Sequence, residues 1–322
     1  MSFSIIGTGS ALPKQVVTNK DLEELVETSD EWITSRTGIH ERRVCTSESV
    51  TDLAVSAAQN ALLNAGCSSS ELDLIICATI SADFATPSLA CLLQMKLGAS
   101  CPAFDVNAAC TGMIYAMDIA DGYFARKPDQ KILIVAADGL SRLIDWKDRS
   151  TCVLFGDGAA AAVLGRGDGL LAIEIGAEGK QDPLYAPAGW GNSPFHKAME
   201  ESPYFKMDGQ EVFRFAVSSM VASVKSVLTA ANLTVDDMDY LLPHQANSRI
   251  LDAAKTRLKI GDGKCLSNIA LRGNTSAAGV GILLDEMNRE GKFQKDDVLV
   301  LTAFGGGLTT GACVLRWDQK TK

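Results

Sequence analysis

The 322-residue chain repeats itself: the same order of elements recurs at an offset close to 164 positions. A fixed period of this kind constrains a fold more than any motif does. A helical pattern over about 51–65 leads into the apolar run Leu72 to Ile80. A second, over about 211–231, leads into Met238 to Pro243. The segment Pro102 to Cys110, with a small-residue helix after it, is matched by Ser267 to Ala270 and Gly273 to Ala278, which puts Cys110 and Asn274 at equivalent places. Each half then supplies a strand (131–137; 298–303) and a closing strand rich in small residues (159–164; 311–316). One shared element is ordinary in an α/β chain, whereas four in register at one offset indicate duplication.

Alternating strands and helices imply largely parallel sheets covered by helices. Two such halves back to back predict an α/β fold of five layers, an α/β/α/β/α sandwich. The N-terminal half, 1–166, carries the candidate cysteine, and the C-terminal half, 167–322, carries the candidate histidine and asparagine. Ala108, Ala109 and Gly112, with Ala277, Ala278, Gly279 and Gly281, permit the two central helices to approach closely. Only the Gly165 to Gly169 turn separates the halves. Lys180 to Pro203, with Pro183, Pro187, Pro194 and Pro203, reads as a long ordered loop.

A hydrophobic content of 47% supports a large core. The net charge of −9 excludes nonspecific nucleic-acid binding, which requires Lys and Arg to neutralise phosphates. The nine cysteines are odd in number, scattered and mostly set in apolar runs, so buried reduced thiols are expected rather than disulfides. Without a CxxC pair, and with only His40, His196 and His244, no metal site is expected. The N-terminus lacks the basic region of a secretory signal, and the uncharged run from Val298 to Leu315 is broken by Gly305-Gly306-Gly307. It reads as two strands around a turn, so no membrane span and a cytoplasmic location are expected. Gly7-Thr8-Gly9 and Gly156-Asp157-Gly158 complete neither GxGxxG nor a Walker motif and read as turns.

Cys110 follows a strand and opens a helix, where free N–H groups and the helix dipole favour a thiolate, so a lowered pKa is expected. His244 ends the repeat-mate of the strand Leu72 to Ile80 and should emerge on the same edge. Asn274 taken alone is a helix cap. Its symmetry with Cys110 brings Cys, His and Asn to one pocket, a set suited to acyl transfer. The Phe304-Gly305-Gly306-Gly307 turn offers unobstructed N–H groups for an oxyanion.

At these residues the chain resembles the thiolase-fold condensing enzymes, and most closely the β-ketoacyl-acyl carrier protein synthase III family. The likeness runs from Ile5-Ile6-Gly7-Thr8-Gly9 to Leu315-Arg316-Trp317. It includes Thr28-Ser29-Asp30-Glu31-Trp32-Ile33, Arg36-Thr37-Gly38-Ile39, Phe155-Gly156-Asp157-Gly158-Ala159, Pro243-His244-Gln245-Ala246-Asn247 and Gly273-Asn274-Thr275-Ser276-Ala277-Ala278. The resemblance implies a ping-pong decarboxylative condensation. Cys110 takes an acyl group from acyl-CoA, a substrate rather than a cofactor, and malonyl-acyl carrier protein then loses CO2 and attacks the acyl-enzyme. It assigns His244 and Asn274 to the malonyl thioester carbonyl, the N–H groups of Cys110 and Gly306 to the oxyanion hole, and Phe304 to the decarboxylating group.

By the same resemblance Trp32 and Arg149 sandwich the CoA adenine, while Thr28, Arg36, Gly209, Asn247 and Arg249 line the CoA channel. Arg214, Arg249 and Arg257 form a basic patch for the acidic carrier protein. A homodimer is expected, in which the partner's copy of the Thr86 region reaches the acyl pocket. Some relatives carry Phe at Thr86, so a roomier pocket for longer or branched starters is expected. Degradative thiolases place a second cysteine near the last glycine cluster, where this chain has only Cys313, and elongating synthases use a second histidine where this chain has Asn274. The alternatives are a related acyltransferase of secondary metabolism with another starter or acceptor and, more remotely, a non-catalytic CoA- or nucleotide-binding protein.

Overall fold

The structure is a computed structural model and describes residues 2–188, 195 and 202–319. In the first half, β1 (Ser2–Ala11) precedes a two-stranded ribbon, β2 (Gln15–Thr18) and β3 (Glu41–Val44), which brackets α1 (Asn19–Glu23) and α2 (Asp30–Thr37). Then come α3 (Val50–Ala65), β4 (Leu74–Ala78), α4 (Leu89–Leu97), β5 (Ala103–Val106), α5 (Gly112–Arg126), β6 (Ile132–Gly139) and β7 (Asp157–Gly167). The second half holds β8 (Leu170–Lys180), the short pair β9 (Leu184–Tyr185) and β10 (Lys206–Met207), α6 (Gly209–Ala230), β11 (Tyr240–Pro243) and α7 (Ser248–Leu258). It closes with α8 (Ile269–Arg272), α9 (Ala278–Arg289), β12 (Val298–Gly305) and β13 (Gly307–Arg316).

The first sheet has the order β1-β7-β6-β4-β5 and the second the order β8-β13-β12-β11, so corresponding strands occupy corresponding places. The second sheet lacks a full mate for β5. A single parallel bridge from Leu241 to Cys265 stands there. The side-chain carbonyl of Gln245 takes the Ser267 hydroxyl at 2.7 Å and the Asn268 N–H at 3.1 Å, which holds this segment out of a ladder. The sheets are mixed rather than largely parallel. β4 runs parallel to β5 and β6, and β11 to β12, but the β6–β7, β7–β1, β12–β13 and β13–β8 pairs are antiparallel. The glycine turn joining β12 to β13 is too short for a parallel crossover.

Five layers result. Helix α3, capped by Ser49 in a capping box with Asp52, covers the outer face of the first sheet with α4 beside it. Helices α5 and α9 fill the space between the sheets, and α6 and α7 cover the second sheet. The central core draws on both halves, from Phe3, Ile76 and Met117 to Leu283, Leu301 and Cys313. Gly7 and Gly9 sit within β1 rather than in a turn. A Cβ there would stand 2.4 and 2.3 Å from the α3 backbone, so they are glycines because helix and strand are in backbone contact.

Residues 298–315 form β12, the turn and nearly all of β13, as their glycine interruption predicts. The one described helix long and apolar enough to cross a bilayer is α6. Its buried residues, including Val217, Met220, Val224 and Val227, pack on the second sheet and on α7. All nine cysteines are free; Cys91 on α4 is exposed, and Cys45, Cys67, Cys110 and Cys265 are only half-buried, so the expectation of uniform burial does not hold. Of the expected loop 180–203, residues 189–194 and 196–201 lie outside the described residues.

Candidate active site

Cys110 lies where the two halves meet. After the half-buried β5, the chain makes a 3₁₀ turn at Ala109–Thr111 before α5 begins at Gly112. Ala109 has φ +46°, an uncommon conformation for a residue with a Cβ. The Thr111 hydroxyl lies 2.6 Å from the Ala108 carbonyl and 3.0 Å from the Thr309 hydroxyl, tying the turn to β13. Cys110, half-buried, opens on one side into a 590 Å³ cavity shared with Phe155, Leu184, Ser276 and Gly306. On the other side it adjoins a narrow cavity lined by His244, Asn274, Phe304 and Gly305.

The Cys110 thiol is not lowered, as its place before a helix suggests, but pushed up to about 12. Burial is the main cause; contact with the Ser276 hydroxyl opposes it and the Asp138 carboxyl adds to it. The turn leaves Cys110 outside the first residue of α5, and the protein packed around the sulfur outweighs the helix dipole. At rest Cys110 is therefore a neutral thiol.

His244 follows the end of β11, its backbone N–H donating to Thr302 at 2.8 Å. It is 1% exposed, and burial lowers its pKa to about 4, so the ring is neutral. Nδ1 has no partner and lies 3.7 Å from where a Cβ on Gly279 would stand; the ring meets Phe304 edge-on at 5.3 Å between centroids. Asn274 does not cap α9, whose N-cap is Ala277. It pairs with Phe155 in an isolated bridge, and its Oδ1 accepts the Ser276 N–H at 2.9 Å. Because an N–H must meet Oδ1, the amide NH2 is left for the cavity. A neutral imidazole and a side-chain amide thus line the same space as the thiol.

A second cleft, of 1190 Å³, gathers Arg36, Gly209, Arg214, Asn247 and Arg249. Asn247 spends its amide on structure, Nδ2 donating to the Arg36 carbonyl at 3.1 Å and Oδ1 capping α7 through the Arg249 N–H at 2.9 Å. The Arg149 guanidinium sits 5.1 Å from the Trp32 ring centroid and that of Arg36 5.9 Å from it. A base between Trp32 and Arg149 needs about 7 Å, two van der Waals thicknesses, so Arg149 has to shift to admit one. Thr28 lies outside the cleft with its hydroxyl unpartnered. Arg257, exposed in the last turn of α7, and Thr86, exposed between β4 and α4, are also apart from these cavities within this chain. Cys313 is buried in β13 with its sulfur 3.9 Å from Met117 Sδ and does not reach the site.

Three residues in or behind the site escape a reading of motifs. Asp138 is the single charge in the otherwise uncharged β6, a signal visible in Ile132 to Gly139. Ser276 stands inside the Asn274 segment but draws notice only through its φ of +54°. Arg42, fully buried, donates to the carbonyls of Val17 at 3.2 Å and Val153 at 2.8 Å and to Asn19 Oδ1 at 2.9 Å. Nothing in Glu41-Arg42-Arg43-Val44 marks it.

Residues 104–179 match the family model of 3-oxoacyl-[acyl-carrier-protein] synthase III, and residues 228–317 match the model of its C-terminal region. The chain is 46% identical over 327 residues to the beta-ketoacyl-[acyl-carrier-protein] synthase III of Caldanaerobacter subterraneus subsp. tengcongensis, covering 99% of each. Among solved structures, 3-oxoacyl-[acyl-carrier-protein] synthase III from Aquifex aeolicus superposes with a TM-score of 0.92 at 45% identity, covering 98% of this chain and 100% of that one. The priming β-ketosynthase of the R1128 polyketide biosynthetic pathway also reaches 0.92, at 33% identity over 99% and 97% of the two chains. Sequence and fold agree: the chain belongs to the β-ketoacyl-[acyl-carrier-protein] synthase III family.

Proposed function

We propose that the chain condenses an acyl-CoA starter with malonyl-acyl carrier protein and so initiates fatty-acid synthesis. The observation that carries this is the meeting of the Cys110 thiol with two neutral donors, His244 and Asn274, in one buried cavity. Cys110 sulfur attacks the thioester carbonyl, the CoA thiolate leaves, and the N–H groups of Cys110 and Gly306 hold the oxyanion. The malonyl C–C bond then breaks to release CO2. His244 and Asn274 hold the enolate oxygen beside Phe304, and its carbon attacks the acyl-enzyme, expelling Cys110. Neutral donors suit this step, because a cationic histidine so deeply buried is disfavoured by desolvation. Acyl-CoA is consumed as a substrate and no separate cofactor is invoked.

CoA enters through the cleft of Arg36, Gly209, Asn247 and Arg249, its adenine against Trp32 and Arg149, with Thr28 at the edge of the channel. The exposed Arg214 and Arg249, with Arg257 on the same helix as Arg249, receive the acidic carrier protein, a charge-steered contact on a protein of net charge −9. The enzyme acts as a homodimer in the cytoplasm. Exposed Phe84 and Thr86, between β4 and α4, with the half-buried edge strand β5, are the face for the second copy. Thr86 there leaves the acyl pocket roomier than Phe would, so octanoyl-CoA is used at a rate comparable with acetyl-CoA; a strict acetyl preference overturns this detail.

Incubation with acyl-CoA followed by peptide mapping tests the central claim. An acyl adduct on Cys110, absent in Cys110→Ala, is expected, and no adduct with any acyl-CoA would falsify it. A second reading, priming of a secondary-metabolite pathway, is favoured only by the likeness to the R1128 priming ketosynthase at 33% identity. Comparing carrier proteins of fatty-acid and polyketide type as acceptors separates the two.

A further inference from the structure

We infer that Ser276 and Asp138 form a buried proton path that takes the thiol proton of Cys110 during acylation. Asp138 is fully buried at the end of β6, yet only one of its oxygens is used. Oδ1 accepts from Thr79 Oγ1 at 3.1 Å, Ile80 N at 2.8 Å and Ser81 Oγ at 2.8 Å, whereas Oδ2 has no partner. Bracing the 79–81 turn does not account for a buried carboxylate oxygen left without a partner. Ser276, also fully buried, lies against both the Asp138 carboxyl and the Cys110 thiol with its hydroxyl well aligned to neither. It lines the Cys110 cavity in a left-handed conformation, φ +54°, that glycine would adopt without strain. A serine in that conformation points to a use for the hydroxyl.

In the step proposed, the Cys110 S–H bond breaks and its proton passes to Ser276 Oγ as the Ser276 proton passes to Asp138 Oδ2. The sulfur electron pair forms the bond to the thioester carbon, and the departing CoA thiolate recovers the proton by the reverse path. Burial raises the Asp138 pKa, which makes its carboxylate a stronger base toward a thiol that is itself raised. The other ionisable groups around the path are His244 across the cavity and Asp157, Asp83 and Arg142 beyond the end of β6. Asp157 holds Ser141 at 2.6 and 2.8 Å, and Arg142 pairs with Asp83 at 3.0 Å, so neither is directed at Asp138.

This rests on Cys110 being the nucleophile, and the test keeps the two claims apart. Single-turnover acylation by acetyl-CoA is followed by mass spectrometry from about pH 6 to about pH 9.5 in wild type, Ser276→Gly, Ser276→Ala and Asp138→Asn, with thermal midpoints measured alongside. Wild type forming no Cys110 adduct removes the parent reading. With wild type active, the path predicts that Ser276→Gly melts no lower than wild type yet acylates at least about tenfold more slowly near neutral pH, regaining rate as pH rises. Asp138→Asn, which keeps an oxygen for the three donors, shows the same profile. A Ser276→Gly enzyme with the wild-type rate, or one slowed equally at every pH, overturns the proposal whether or not the Asp138 variant folds.

Discussion

A methyl group on Gly305 would stand 2.7 Å from the backbone nitrogen of Cys110. The end of β12 and the Cys110 turn are therefore in contact at the backbone, and any side chain at 305 pushes the Gly306 N–H away from the thiol. Gly305→Ala is expected to keep the fold but slow Cys110 acylation by about 10²–10³-fold, the usual cost of displacing an oxyanion donor. Circular dichroism checks the fold and the rate of adduct formation checks the displacement. Acylation at the wild-type rate defeats the argument.

The assignment of His244 and Asn274 to the second half-reaction separates two rates. In Asn274→Asp the side chain still accepts from Ser276 N–H, but the donor is lost and a charge enters the enolate site. Loss of malonyl decarboxylation by about 10²–10³-fold is expected in Asn274→Asp and His244→Ala, with acylation of Cys110 held within about tenfold. Measuring CO2 release and acyl adduct on the same variants decides it; parallel loss of both rates counts against the assignment.

The layered fold and the meeting of Cys110, His244 and Asn274 around one cavity were legible because duplication makes each half predict the other. Hydrophobic periodicity located β4, β6, β7, β11, β12 and β13 within a few residues, and Cys110 and Asn274 fell before the central helices as their equivalence required. Strand β1 was not read, since Gly7 and Gly9 interrupt the pattern for a reason that lies in α3, far along the chain, and β8 was not read because it has no fully buried face to give a period. Strand direction was misread because periodicity reports burial and not orientation. The lowered thiol pKa failed for a similar reason: proximity to a helix start is local, whereas desolvation is set by everything folded around the sulfur. Ser276, Asp138 and Arg42 matter through contacts between segments far apart along the chain.

Trp32 is half-buried under the Arg149 guanidinium, a contact that a stacked base must replace. Trp32→Ala is expected to raise KM for acyl-CoA roughly tenfold while leaving kcat within about twofold, because the ring stands away from the reacting atoms. Initial-rate kinetics with acetyl-CoA test this. A fall in kcat with KM unchanged excludes adenine stacking as its role.

The buried, neutral His244 makes folding pH-dependent. Its pKa falls from an ordinary 6.5 to about 4 in the folded state, so below about 6.5 the unfolded chain takes up a proton that the folded chain refuses. Stability from this group is present above about pH 6.5 and lost as the pH falls toward 4, amounting to about 3 kcal/mol at the limit. Titrating carboxylates contribute in the same range, so the comparison is with His244→Gln. Urea unfolding near pH 7 and near pH 4.5 is expected to show a smaller drop in the variant, and equal drops refute the burial argument.

Arg42 is a buried cation that bonds three oxygens, none of them a carboxylate, and burial lowers its pKa to about 10. Its Cβ stands 3.2 and 3.4 Å from where a Cβ would sit on Gly156 and Gly273, which flank the paired residues Phe155 and Asn274. The guanidinium thus anchors Val153 on one side of that pairing while the stem packs under both flanks. Arg42→Met keeps most of the volume but removes the hydrogen bonds to the Asn19 oxygen and to the Val17 and Val153 carbonyls, which costs about 3 kcal/mol. In the fraction that remains folded, the effect should fall on the Asn274 side: malonyl decarboxylation drops further than Cys110 acylation. Denaturant melts and the two half-reaction rates measure this together, and a variant that is destabilised with both rates intact leaves Arg42 a packing residue with no hold on the site.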